Sequence, residues 1–138
     1  MKAEAKQIEE VFLRFVVDEF NADSGRRQGL FHAAFALRDS GKMNPLDYQR
    51  LLKITDWFNR NLERPSRFSL SARPNKKNQA ISWIKSSATK HVRRMRDMQK
   101  IVESYGISVE MIKTRRPGYV FYEDEWQITA YPFADTFQ

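Results

Sequence analysis

The chain has 138 residues, 41% hydrophobic and 13% aromatic, which suits one folded domain and is too apolar for a disordered chain. It has no cysteine, which excludes disulfides, thiol nucleophiles, iron–sulfur clusters and thiolate-bound zinc. The formal net charge of +7 is unevenly placed: residues 65–100 hold ten Lys/Arg against one acid, Asp97, and residues 101–138 hold three Lys/Arg against six acids.

Gln7–Phe20 fits two templates. Ile8, Val11, Phe12, Phe15, Val16 and Phe20 form a helical stripe, while Val11, Leu13, Phe15 and Val17 alternate as in a strand. The β-branched and aromatic content of Val11–Val17 favours the strand, with the helix as alternative. Ser24–Gly29 reads as a loop. Leu30–Ser40 is nearly all apolar, as in a short buried helix ending at Gly41. Asn44-Pro45 then opens a second helix with a capping side chain, a first-turn proline and Asp47 at the positive end of the dipole. Its apolar face is Tyr48, Leu51, Ile54, Thr55, Phe58 and Leu62.

Arg64–Asn78 is polar, basic and broken by Pro65 and Pro74, which predicts an exposed loop. A long third helix is expected from about Gln79 to Tyr105, because Ile84, Ala88, Val92, Met95, Met98, Val102 and Tyr105 recur at spacings of three or four. Ile107–Thr114 alternates as a strand. Arg116-Pro117-Gly118-Tyr119 has the residues of a type II turn, and Tyr119–Glu123 and Trp126–Tyr131 follow as strands around Asp124-Glu125. The expected fold is a single α+β domain over residues 1–138. An N-terminal strand (or helix) precedes three helices in residues 29–105, and a three-stranded antiparallel meander occupies residues 107–131. The sheet would hold three to four strands packed on the helices.

Four segments carry a resemblance: Gly29–Ala34 with Leu37–Gly41, Trp57-Phe58, Ile81–Lys85 with Ala88 and His91, and Pro117–Glu125. Together they resemble a family of small uncharacterised bacterial proteins with no assigned activity. The resemblance would cover about residues 10–133. It implies a bacterial cytoplasmic protein and brings no catalytic residues with it. Residues 1–20 lack the layout of a signal peptide, and no apolar run reaches the roughly 18 residues of a membrane span, so no membrane association is expected.

The basic centre is the main functional signal. On a helix, Lys90, Arg93, Arg94, Arg96 and Lys100 fan out opposite the apolar stripe, and Arg73, Lys76 and Lys77 lie in the loop before it. Cations at this density suit phosphates, with arginine binding in a bidentate fork and lysine as a point charge. The expected protein is a non-enzymatic module that presents this helix and loop to an anionic partner such as nucleic acid. The alternative is a homo-oligomer or adaptor using an aromatic sheet face around Tyr119 and Phe121, with the basic helix merely solvated.

Weaker features read as structural. Arg26 and Arg27 sit in a glycine-containing turn that lacks a phosphate-loop spacing. His91 and His32 lie in apolar runs with no nucleophile motif around them. Glu123-Asp124-Glu125 is a turn-tip acidic cluster. No cofactor, metal site or catalytic residue is expected.

Overall fold

The computed structural model describes residues 10–20, 27–63 and 80–133. Within it, alternation decides the N-terminal segment: Phe12–Phe20 is a nine-residue strand, β1. Leu13 and Phe15 are buried on one face and Val16 on the other. A strand covered on both sides reads as a continuous apolar run, which is why helical spacing also fitted it.

The remaining elements follow as β2 (Arg27–Gly29), α1 (Leu30–Asp39), α2 (Pro45–Asn61), β3 (Ile81–Lys85), α3 (Thr89–Glu103), β4 (Val109–Thr114), β5 (Tyr119–Glu123) and β6 (Gln127–Tyr131). The fold is α+β, three helices with a six-stranded antiparallel sheet. No helix among the described residues is long and apolar enough to cross a membrane.

The second helix forms where local chemistry places it. Asn44 Oδ1 accepts the Asp47 N–H at 2.8 Å, and Pro45 occupies the first turn. Tyr105 then ties this end to the end of α3: its hydroxyl donates to the Asp47 carboxylate at 2.9 Å and accepts the Asn44 N–H at 3.0 Å.

Two expectations are corrected. The helix expected over Gln79–Tyr105 is two elements, because Ile81–Lys85 is strand β3 and α3 begins only at Thr89. Ile81 and Trp83 are buried while Ser82 between them is exposed, a period of two. Partners stand on both sides of β3, with Trp83 opposite Ile128 and Ile84 opposite Leu13. A turn at Ser86-Ser87 separates strand from helix, so the spacing of Ile84, Ala88 and Val92 spans three kinds of structure. Lys85 therefore lies on the strand and not on α3, and its Nζ is 2.6 Å from Glu123 Oε2.

The second correction concerns Arg27–Gly29, which is strand β2 on β1 rather than loop. The Arg27 guanidinium donates to Glu110 at 2.6 Å, to Asp18 at 3.3 Å and to the Val17 carbonyl at 3.1 Å. It clamps the sheet and is not presented to a ligand. Arg26 lies outside the described residues.

The three strands of the C-terminal meander, β4, β5 and β6, are present, each antiparallel to the strand it pairs with. β5 and β6 form a hairpin, whereas β4 takes its hydrogen bonds from β1, from Phe12 opposite Thr114 to Val17 opposite Val109. The other edge of β1 is shared by β3 and β2. The row thus runs β4-β1-β3-β6-β5, with β4 and β5 at its two ends, pointing the same way and joined only by residues 115–118.

A flat sheet would separate those ends by about 19 Å, four strand spacings, before the link climbed back one strand length. Five chain steps reach at most about 18 Å. The sheet must therefore curl. Its inner face is filled by Val16, Ile81, Trp83, Ile112 and Ile128. Its outer face, through Leu13 and Phe15, carries the helices, with Leu30 and Ala34 of α1, Leu51 and Phe58 of α2, and Met95, Met98 and Val102 of α3.

Candidate functional site

The buried stripe of α3 is His91, Met95, Met98 and Val102, spaced four, three and four. At about 100° per residue, Arg93 and Lys100 share the pole opposite that stripe, with Lys90 beside them. All three are exposed. Arg94 and Arg96 fall on opposite flanks of this ridge.

Their side chains run to different neighbours. The Arg94 guanidinium lies over the Trp57 ring of α2, 4.9 Å from its centroid. Arg96 lies over Phe15 of β1 at 5.4 Å and reaches Gln99 Oε1 at 3.2 Å and Met111 Sδ at 3.3 Å. In both, the guanidinium itself rests on an aromatic face, a cation–π contact. The single cationic fan expected from the sequence is thus a ridge with a groove on each side.

The groove on the α2 side is about 390 Å³ and is lined by Lys53, Ile54, Asp56, Trp57, Arg60 and Arg94. Asp56 partly offsets its three cations. The groove on the sheet side is larger, about 570 Å³, and lies between α3, β1 and β4. Val11, Leu13, Val92 and Met111 are its apolar lining, Ser86 and Thr114 add hydroxyls, and Arg96, Lys113 and Arg115 add charge. None of these nine lining residues is acidic. Glu10 stands at the groove's end, accepting from Ser86 Oγ at 3.0 Å. Low-dielectric walls carrying charge of one sign focus the potential and raise the local concentration of anions.

The structure brings Lys90, Arg93, Arg94, Arg96 and Lys100 onto one helix, as the sequence predicts. Arg73, Lys76 and Lys77 lie outside the described residues. Two cations of the groove, Lys113 and Arg115, escape a reading of the sequence because they sit in a C-terminal block that is acidic on balance. The signal for Lys113 is the alternation of β4: Met111 and Lys113 share a face, opposite Phe15 and Leu13 of β1, and this is the face beneath Arg96.

His91 has a structural role. Its Nε2 is 2.8 Å from the Asn61 carbonyl, which can only accept, so Nε2 carries the proton. The ring stacks on Trp126 at 4.8 Å and meets Trp57 edge-on at 4.8 Å. It thereby caps a carbonyl at the end of α2 and pins that helix to α3 and the hairpin. No acid or hydroxyl among the described residues contacts it as a catalytic partner would.

Two of the three hairpin acids are also occupied, Glu123 by Lys85 and Asp124 by the turn itself. Asp124 accepts the Trp126 and Gln127 amides at 2.8 and 3.0 Å, the Tyr122 hydroxyl at 2.7 Å and Gln127 Nε2 at 3.2 Å. Burial pushes its carboxyl up, but these hydrogen bonds outweigh burial and hold it below the usual carboxylate range. The same bond to Asp124 pushes the Tyr122 hydroxyl up to about 12. Gln127 also donates to the Glu63 carbonyl at 2.8 Å, anchoring the hairpin to the segment after α2. Among the described residues no group of three His, Asp or Glu is placed to hold a metal ion.

No family model, curated protein or solved structure matches the chain.

Proposed function

We propose that the chain is a non-enzymatic binding module for a polyanion, with the nucleic-acid backbone as its ligand. The phosphates would track the groove between α3 and β4, along Arg96, Lys113 and Arg115, with Arg93 and Lys100 meeting neighbouring phosphates from the ridge. The observation that carries this reading is the lining of that groove, three cations and two hydroxyl residues with no carboxylate among them. Phosphate contacts release condensed counterions, so affinity should fall steeply with salt. Such contacts position the protein without reading sequence.

The test is fluorescence anisotropy of the nuclease-treated protein with labelled mixed-sequence DNA and RNA, at about 50 and about 300 mM salt. Lys113→Glu changes an exposed side chain of the groove lining and Lys100→Glu an exposed one on the ridge beside it. Each should weaken binding and flatten the salt slope by about 0.7 to 0.9 for every phosphate that the variant no longer neutralises. A folded double variant with unchanged affinity and slope would refute the reading.

A further inference from the structure

β5 ends the strand row, with β6 as its ladder partner. Natural edge strands are usually blunted by charge, proline or cover. β5 instead exposes three consecutive large apolar residues, Tyr119 at 66%, Val120 at 48% and Phe121 at 37%. The register shift between Val120 and Tyr122 re-aims Phe121 onto Tyr131, 4.7 Å away and nearly parallel. Val120 pairs with Ala130 and points to the inner face, so both faces of the strand are apolar and open at this edge. The one charged residue of β5, Glu123, is already bonded to Lys85.

The charges flanking β5 are ordered: Arg116 precedes the strand, and Glu125 follows it at the hairpin tip. We infer that β5 is the interface to a second copy of this chain, the two strands pairing antiparallel across a twofold axis. Antiparallel pairing sets the arginine end of each copy against the acidic end of the other, twice. Parallel pairing would set arginine on arginine and acid on acid, which is repulsive. The twofold also lets Tyr119 and Phe121 of each copy cover the partner's rings, because an isologous contact uses one patch twice. The inference is independent of the groove, which lies against α3.

The experiment is sedimentation velocity on the nuclease-treated full chain across a hundredfold range of concentration. The mass should move from 16.4 kDa towards twice that value. Val120→Lys places a charge in the exposed edge and should hold the protein at monomer mass, with the thermal transition of the wild type measured at concentrations where it is monomeric. Arg116→Glu and Glu125→Arg should each raise the dissociation constant about tenfold or more, because like charges then face each other twice. Mixing those two variants should restore the dimer, since both contacts in the mixed pair are again opposite in sign. A monomer at every concentration would overturn the inference and leave the edge to a different partner. A dimer indifferent to Val120→Lys, or two charge variants that fail to recover on mixing, would overturn it as well.

Discussion

Gly118 stands at the entry to β5, and replacing it with alanine tests how tightly the hairpin is closed onto the end of β6. Two costs combine. Its φ of +132° lies where side-chained residues are strained, worth roughly 1–3 kcal/mol. A Cβ there would also lie 2.0 Å from the Tyr131 carbonyl oxygen and 2.8 Å from Pro132 Cα, against an ordinary carbon–oxygen approach of about 3.3 Å or more. Both obstacles are backbone, so the turn must move by about an ångström and pull at the pairing of Tyr119 with Tyr131. Losing one such hydrogen bond adds about 1 kcal/mol. The expected total for Gly118→Ala is about 2–4 kcal/mol, a drop of roughly 10 °C in Tm for a domain of this size. Gly106→Ala is the internal reference. Its φ is +86° with nothing within 4 Å of the added carbon, so only the conformational cost of about 1–2 kcal/mol applies. Urea titrations of the two variants side by side separate steric contact from conformation. If Gly118→Ala loses no more than Gly106→Ala, the close approach to β6 is not what fixes glycine at 118.

The inner core should be sensitive at Trp83, which is fully buried. Trp83→Ala is expected to cost about 3–5 kcal/mol by chemical denaturation. Trp83→Phe should cost less than half of that, because Trp83 Nε1 is buried without a partner among the described residues and its removal forfeits no hydrogen bond. Asn44→Ala removes the α2 cap at Asp47 and should cost about 1 kcal/mol, whereas Asn44→Ser should recover most of it. The hairpin lock sets limits at both ends of the pH scale. The Asp124 carboxyl is held low, so its stabilisation is complete above the ordinary carboxylate range and fades as pH falls through the lowered value. The Tyr122 hydroxyl is raised from 10.0 to about 12, so its stabilisation is complete below the ordinary value and fades as pH climbs between the two. Thermal scans of Tyr122→Phe should lack that alkaline decline; an identical alkaline limb in both proteins would refute the assignment.

The parts of this fold that the sequence predicts are those with local causes. α2 is legible because Asn44, Pro45 and Asp47 act within one turn, and the buried stripe of α3 because Met95, Met98 and Val102 repeat on one helix. β3 is hidden, since Ile81–Lys85 becomes a strand only through β6 and β1, whose paired residues lie more than forty positions away in either direction. The partner of β4 is hidden for the same reason. The candidate site divides likewise. The helix cations are visible as a run in the sequence, but Lys113 and Arg115 join Arg96 only because β4 pairs with β1 beneath α3. No local property of Lys113-Thr114-Arg115 announces that meeting.

The pairing of β1 also bears on how the protein is made. β1 leaves the ribosome well before its longest-paired partner, β4, with Val17 set against Val109 and Phe12 against Thr114. Pairings this distant in sequence slow folding, because a large loop must close before they form. During synthesis, the Leu13 and Phe15 face can collapse onto α1 and α2 early, while the far edge of β1 stays unpaired until β4 has emerged. That interval exposes an apolar strand edge, the kind of surface that aggregates and that chaperones bind. Expression yield should therefore respond more to synthesis rate and chaperone supply than the equilibrium stability of the finished fold would suggest.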